Sequence, residues 1–488
     1  MPENFQNSWV FTIVCTNDKF TFEYLMASNK NLYLATKFST FKNMKTFSRR
    51  DFISTTTKGA AAASLMSASL LEAVACTNRM GPNEKVRAAL IGCNGVGWEN
   101  LKAALKTPGI DFVSLCDVDQ NVLSRRSAEL EKATGKKTIN VGDYRKVLDM
   151  KDVDAIFVCT PDHWHALPMI HGCQAGKDVY VEKPMGRTIE ECLVMINAQK
   201  KYNTIVQVGQ QQRSAIHWKN AIDYVQSGKL GHIRLVKAWS YVDWKGAVPI
   251  VPDEPVPAGV DYDMWLGPAS KRPFNRNHFH QSFRWYWDYA GGLMTDWGVH
   301  MLDMVLWGTK AGGPNSVISA GGKYAFPNDA METPDLMSSA YEFDDFMMTW
   351  EHTIGIGLGP YGRKHGVAFI GNTGTLVIDR NGWEVLAERE AADRTKLKME
   401  PLASQKAETD GRVEHTANFV ECIRNRKKPI CDVEIGANVA INAHLGNIAY
   451  RLGRKVYWDR KTNTFINDPQ ANELIKPQYR LPWELPKL

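Results

Sequence analysis

No two of the nine cysteines, at positions 15, 76, 93, 116, 159, 173, 192, 422 and 431, stand as a Cys-x-x-Cys pair, which argues against a zinc ribbon. Cys116 and Cys159 fall inside apolar strand-like runs, where cysteine behaves as a small hydrophobe, so mostly free, buried thiols are expected. No His/Asp/Glu cluster has metal-ligand spacing. The nearest approach is His163-x-His165, and no metal is expected. The body of the chain lacks an apolar run of the about 18 residues a transmembrane helix needs. Charge of one sign is also missing. The formal net charge is +6, and residues 1–75 hold eight Lys/Arg against five Asp/Glu, so the remainder is nearly balanced. Without a basic stripe, no nucleic-acid partner is expected. What remains is ordinary globular composition, 44% hydrophobic and 23% charged over 488 residues, a length that suggests about two to three domains.

The first feature present is Ser48-Arg49-Arg50-Asp51-Phe52-Ile53, followed by a short Ala/Ser-rich apolar run from Gly59 to Leu71. An arginine pair ahead of a modestly apolar segment reads as a twin-arginine export signal over residues 44–75. Ala73-Val74-Ala75 has the A-x-A form of a cleavage site. Cys76 follows at once and is a candidate for a lipid anchor, although Ala73 is a poor match to the usual lipobox leucine. Residues 1–43 show neither clean periodicity nor signal character. Met44 is the expected start and the first 43 residues a doubtful extension. Twin-arginine export carries folded proteins, so a bound cofactor would travel to the periplasm or cell envelope with its enzyme.

From residue 84 the chain alternates strand and helix. Lys85–Ile91 reads as a buried strand, Gly92-Cys93-Asn94-Gly95-Val96-Gly97 as a turn, Trp98–Lys106 as a helix, and Asp111–Cys116 as a second strand ending at Asp117. Glycines let the backbone approach a pyrophosphate, which the amides at a helix start favour. An acid about 20 residues on accepts hydrogen bonds from ribose hydroxyls. Asp117 would also repel a 2′-phosphate, which favours NAD over NADP. A strict G-x-G-x-x-G pattern puts glycine at 94. Asn94 stands there, and asparagine tolerates left-handed backbone better than most residues, so the turn is expected to survive. The strand from Val153 ends at Thr160-Pro161-Asp162-His163-Trp164-His165, and the strand at Val179 ends at Glu182-Lys183-Pro184. Ligands of open α/β sheets bind at such strand ends.

After Val208-Gly209 the character changes. Long β-like runs appear at 233–242 and 338–343, a Pro-rich irregular region spans 246–282, and a hairpin is expected to turn near Asn372. Residues 413–425 and 435–452 read as helices. After the Pro-rich region, Asp296-x-x-x-His300 places a carboxylate and an imidazole i,i+4 on a helix, with Asp303 three further on. A carboxylate beside an imidazole fixes its tautomer and makes it a general base for an alcohol. The competing reading is a core histidine capped by a structural aspartate. Lys183 is either a solvated strand end or an ammonium that stabilises a developing alkoxide. The aromatic stretch 278–289 contains Arg284, Trp285 and Trp287. It suits the apolar face and hydroxyls of a pyranose, and equally a core or a dimer interface.

The glycine turn, Asp117, the Thr160–His165 segment, Glu182-Lys183-Pro184 and Asp296-x-x-x-His300 together resemble the Gfo/Idh/MocA oxidoreductases, the glucose-fructose oxidoreductase and inositol 2-dehydrogenase family, over roughly residues 85–460. The resemblance implies an α/β protein. A Rossmann domain occupies residues 84–208, and residues 209–470 form an α/β domain with an open, mainly antiparallel sheet that commonly mediates homo-oligomerisation. Residues 471–488 are left as a tail. It implies NAD held by Gly92, Asn94, Gly95, Val96, Gly97, Asp117, Thr160, Pro161, His165, Glu182 and Lys183. His300 would act as base, with Lys183 and Asp296 beside it. Arg213, Arg284, Trp285, Trp287, Asp296 and His300 would meet a sugar, glycoside or cyclitol. The leading expectation is an exported NAD-dependent oxidoreductase of such hydroxyls. A redox-neutral glycosidase relative is the alternative, although the exported glycosidases of this kind tend to lack the lysine that stands here as Lys183. A non-catalytic sensor would need a broken constellation.

Overall fold

The computed structural model describes residues 85–488 and, before them, the backbone of three strands at Trp9–Thr16, Lys19–Ser28 and Asn31–Ala35. The chain divides into two compact units, 1–78 and 79–488. In the first, the three strands pair as an antiparallel meander, although residues 1–43 carry no clean periodicity in the sequence. The twin-arginine segment, its cleavage site and Cys76 lie outside the described residues.

The second unit opens with β1 (Val86–Ile91), α1 (Gly95–Ala104), β2 (Ile110–Cys116) and α2 (Gln120–Thr134). Then come β3 (Ile139–Val141), β4 (Ala155–Val158), α3 (Ala166–Gln174), β5 (Asp178–Val181), α4 (Ile189–Tyr202) and β6 (Val206–Val208). All six strands are parallel in the order β3-β2-β1-β4-β5-β6, the doubly wound Rossmann arrangement. Strands β1, β4 and β5 are almost continuously apolar because helices cover both faces of the sheet. Asp119 caps α2 through the amides of Asn121 and Val122, and Thr188 and Glu191 form a reciprocal capping box at the start of α4.

After α5 (Ile216–Gln226) the chain lays down β7 (Ile233–Val242), α6 (Val299–Thr309), β8 (Ser316–Gly322), β9 (Leu336–Glu342) and β10 (Met347–Ile354). It continues with β11 (His365–Gly371), β12 (Gly374–Asp379), β13 (Gly382–Ala387) and β14 (Leu402–Lys406). The last elements are α7 (Arg412–Asn425), α8 (Val433–Leu452), β15 (Val456–Asp459) and β16 (Thr464–Phe465). The ten strands run β14-β13-β12-β11-β7-β10-β9-β8-β15-β16, and only β7 and β10 pair in parallel. The α/β class and the mainly antiparallel second sheet are as the sequence led us to expect, as is the hairpin of β11 and β12.

The two halves are not sequential blocks. Phe419 of α7 packs its ring on Phe157 and Tyr180 of the Rossmann sheet, 5.6 and 5.9 Å between centroids, and Val420, Cys422 and Ile423 complete that core. The C-terminal tail also returns to the first domain. The Tyr479 hydroxyl donates to Glu191 at 2.8 Å, and Trp483 stacks edge-on to Trp164 at 4.8 Å. The seven cysteines between 93 and 431 are all buried and unpaired. Among the described residues no helix is long and apolar enough to cross a membrane.

Candidate active site

The carboxyl ends of β1, β4 and β5 open into a cavity of about 340 Å³ whose far wall is built by the second domain. At its near end lies the glycine turn. Gly92 (φ +89) and Gly95 (φ +48) take the left-handed region. A Cβ on Gly97 would stand 2.0 Å from the Gly92 carbonyl oxygen, so α1 can approach its strand this closely only without a side chain there. A Cβ on Gly95 would meet nothing within 4 Å. The start of α1 thus faces open space, bordered by Asn94, Gly95 and Val96. Asn94 corrects the reading of its role. It is extended, with φ −103, and needs no left-handed tolerance, because the neighbouring glycines take the unusual conformations.

Asp117 closes this end. Its carboxylate accepts from the amides of Cys93 at 2.8 Å and Asp119 at 3.0 Å, so it braces the glycine turn while lining the cavity. Burial pushes its carboxyl up to about 6 against the pull of those amides. Thr160, Pro161 and His165 follow β4 on the cavity wall. The Thr160 hydroxyl is buried without a partner, an open donor and acceptor in the space a nucleotide would enter. The His165 ring nitrogens lie 2.6 and 2.9 Å from the carbonyls of Pro184 and Thr160. His163 faces the Trp265 carbonyl at 2.9 Å. Glu182 is buried, with one oxygen taking the Asn100 amide at 2.7 Å and the other the Lys183 backbone amide at 3.1 Å.

Lys183 and the second domain meet at the centre. The Lys183 ammonium donates to the Asp296 carboxylate at 2.9 Å and to the Asp296 carbonyl at 3.0 Å, and Arg284 Nε reaches the same carboxylate oxygen at 3.2 Å. Burial would raise the Asp296 carboxyl, but the charges of Lys183 and Arg284 outweigh it and hold it well below the usual range. The imidazole of His300 is buried. Burial, then Lys183 and Arg380, hold its pKa well below the ordinary value, so it is neutral at physiological pH. Its Nδ1 has no partner. Asp162, also on the wall, is pushed up to about 7 by burial, against the pull of Arg284 and Lys183.

Four expectations need correction. Asp296 does not hydrogen-bond His300. Residues Met294–Gly298 form a π-helical turn before α6, and the carboxylate turns to Lys183 and Arg284. Arg213 does not reach the cavity. Its guanidinium is buried and holds Asp303 through three contacts of 2.6 to 3.0 Å. Trp285 is 2% exposed, packed inside an aromatic cluster, and does not line the cavity. Trp287 lies on the wall of a separate pocket with Arg187 and His444. Arg284 does line the main cavity. The sequence reading missed Trp297, Arg380 and Arg412, which complete the far wall. Arg380 and Arg412 are lone arginines outside any motif. Only Trp297, one residue after Asp296, had a signal beside it.

Two family models match the chain. The oxidoreductase family, NAD-binding Rossmann fold, covers residues 86–210. The oxidoreductase family, C-terminal alpha/beta domain, covers 223–320 and 396–485. The chain belongs to the Gfo/Idh/MocA oxidoreductase family. A glycosyl hydrolase family 109 protein of Shewanella putrefaciens is 30% identical over 120 residues, 24% of this chain and 26% of that protein. An oxidoreductase of Bacillus subtilis, YrbE, is 25% identical over 223 residues, 45% of this chain and 53% of that protein. The matches thus span between about a quarter and a half of these relatives. Among solved structures, levoglucosan dehydrogenase in complex with NADH and levoglucosan superposes with a TM-score of 0.59 at 18% identity, covering 77% of this chain and 99% of that one. At that identity it shows the shared fold.

The glycine turn, the open face of α1 and the unpartnered Thr160 hydroxyl fit the NAD of this family. Asp117 makes the fit pH-dependent. Above pH about 6 the ionised carboxylate would accept from ribose hydroxyls, and below it the protonated acid would lose an acceptor. NAD affinity of this Gfo/Idh/MocA protein is therefore expected to fall as pH drops through about 6. Asp117→Asn should be weak and flat over the same window. A titration of affinity against pH checks it, and an Asp117→Asn profile that still bends there would assign the bend elsewhere.

Proposed function

We propose that this protein is an exported NAD-dependent oxidoreductase that interconverts a sugar, glycoside or cyclitol hydroxyl and the corresponding ketone. The observation that carries the reading is the donor count at Lys183. An ammonium has three N–H donors, and two are spent on Asp296. No third partner binds it among the described residues, and the ammonium stands on the wall of the cavity that begins at the glycine turn.

Gly95, Val96, Asp117 and Thr160 would hold the dinucleotide. When bound, NAD supplies the hydride acceptor. Asp296 fixes the Lys183 ammonium from two atoms, and Arg284 braces Asp296. The third Lys183 donor would meet the substrate oxygen and stabilise the negative charge that grows there. Neutral His300 would take the hydroxyl proton, which an imidazolium could not do. The apolar wall formed by half-buried Trp297 and buried Phe283 would limit access of bulk water to the reacting carbon. The repulsion of Asp117 for a 2′-phosphate supports NAD over NADP. The twin-arginine segment supports a place in the periplasm or cell envelope, and the exposed strands of the large sheet support a homo-oligomer.

A second reading has one specific support, the 30% identity to a glycosyl hydrolase family 109 protein. In it the sugar is oxidised transiently, loses its aglycone by elimination, takes up water and is re-reduced. One experiment separates the two. Purified protein is assayed for retained nucleotide by mass spectrometry, then mixed with glucosides and cyclitols. Net appearance of reduced-nicotinamide absorbance is expected. Cleavage of a glycoside without net reduction would move the assignment to the hydrolase, and neither signal with any compound would sink both.

A further inference from the structure

The far wall of the cavity is more cationic than oxidation of a neutral sugar requires. Arg380 donates Nε to Gln212 Oε1 at 3.0 Å and lies 4.5 Å over the ring of Trp297. No carboxylate lies within 4 Å of it among the described residues. Arg412 donates to Asn100 Oδ1 at 3.0 Å, and among the described residues the one carboxylate within 4 Å of its guanidinium is that of Asp410, 3.6 Å from its Nε and largely exposed. Both arginines line the cavity. None of the cavity's own acids contacts either guanidinium. Asp296 is already shared by Lys183 and Arg284, Glu182 meets Arg412 only through the side-chain amide of Asn100, and burial drives Asp162 toward its neutral form. Asp117 and Asp119 stand at the opposite, ribose end.

Unbalanced cations in a buried site disfavour each other. Arg380 is lowered to about 10, first by burial and then by Arg412, a large change for a group that rarely yields its proton. A carboxylate between the two guanidiniums would remove that repulsion and accept the paired N–H donors that arginine presents to such a group. The arrangement is also positioned against the chemistry. The side-chain amide of Gln212 takes Arg380 on its oxygen and gives its nitrogen to the His300 carbonyl at 3.4 Å. One side chain therefore ties the anion-binding arginine to the residue that receives the proton.

We propose that the substrate is an acidic sugar, a uronic acid or its glycoside, whose carboxylate is received by Arg380 and Arg412 beside the carbon that is oxidised. This rests on the reading of the cavity as a sugar site.

The test uses the full protein loaded with NAD and two matched pairs of probes, methyl glucuronide with methyl glucoside and methyl galacturonide with methyl galactoside. Binding is measured by calorimetry and turnover by reduced-nicotinamide absorbance. The uronides are expected to bind about tenfold to a hundredfold more tightly than their neutral partners. Arg380→Gln should weaken uronide binding at least about tenfold more than neutral-sugar binding, with Arg380→Lys recovering part of the difference. Equal binding of acid and neutral partners, or equal losses in Arg380→Gln, would overturn the proposal. Arg412→Gln that loosens NAD without touching the uronide preference would overturn the role given to Arg412. Calorimetry does not depend on turnover. A uronide preference without reduced nicotinamide would sink the oxidoreductase reading alone, and turnover without preference would sink this proposal alone.

Discussion

Lys183→Met is expected to lower turnover by about a hundredfold to a thousandfold, the usual cost of removing one preorganised donor from a developing oxyanion. The residue is 12% exposed in its side chain and touches Asp296 through two atoms. Methionine keeps the length and removes all three donors. Two effects combine in the variant. The substrate oxygen loses its cation, and His300 loses one of the charges that hold its imidazole neutral. With Lys183 gone, the imidazole becomes easier to protonate. A base that works when neutral then fails at higher pH than before, so the acid limb of the turnover profile should move upward. Steady-state rates across a pH series check both. Unchanged turnover would remove Lys183 from the chemistry, and a lowered rate with an unmoved limb would remove its influence on His300.

The largest effect on stability is expected at Asp303. Its carboxylate is fully buried, and Arg213, 7% exposed in its side chain, holds it. The guanidinium also lies 4.9 Å from the ring of Trp307. Asp303→Ala would leave a buried cation facing apolar and aromatic groups. Breaking such a pair from one side costs about 3–5 kcal/mol, whereas replacing both members with well-packed apolar residues is often neutral. Arg213→Met with Asp303→Leu should therefore restore most of the loss. Denaturant unfolding checks the energies, and the Michaelis constant of Arg213→Met checks the placement. A raised Michaelis constant with unchanged stability would return Arg213 to the substrate, where the family resemblance had placed it.

The parts legible in the sequence are those set by local pattern. The strand, glycine turn, helix, strand and acid from Val86 to Asp117 lie within one short stretch, and each obeys a local rule of apolar run, backbone freedom or helix start. The helices α7 and α8 and the β11–β12 hairpin were readable for the same reason. What escaped depends on partners far along the chain. Arg213 meets Asp303 across 90 residues. Arg380 and Arg412 reach the cavity from the end of β12 and the start of α7, and only the folded second domain brings them together. Asp296 and His300 have α-helical spacing, but the π-helical turn at Met294–Gly298 aims the carboxylate elsewhere. Trp285 ends a short 3-10 helix and Trp287 lies in a turn, and neither element is long enough for a period to say which side faces the cavity.

The tail treated as an appendage in the sequence is a late part of the architecture. Trp483 backs Trp164, which itself stands on the cavity wall, and Tyr479 satisfies the buried Glu191 at the capping box of α4. The Rossmann strands are all synthesised by residue 208, yet their helix Arg412–Asn425 and this backing arrive some two hundred residues later. On the ribosome the nucleotide-binding half therefore waits, with one core face and one cavity wall unfinished, until those later residues are made. The nucleotide site is thus finished only when a segment far along the chain folds back onto strands laid down long before it.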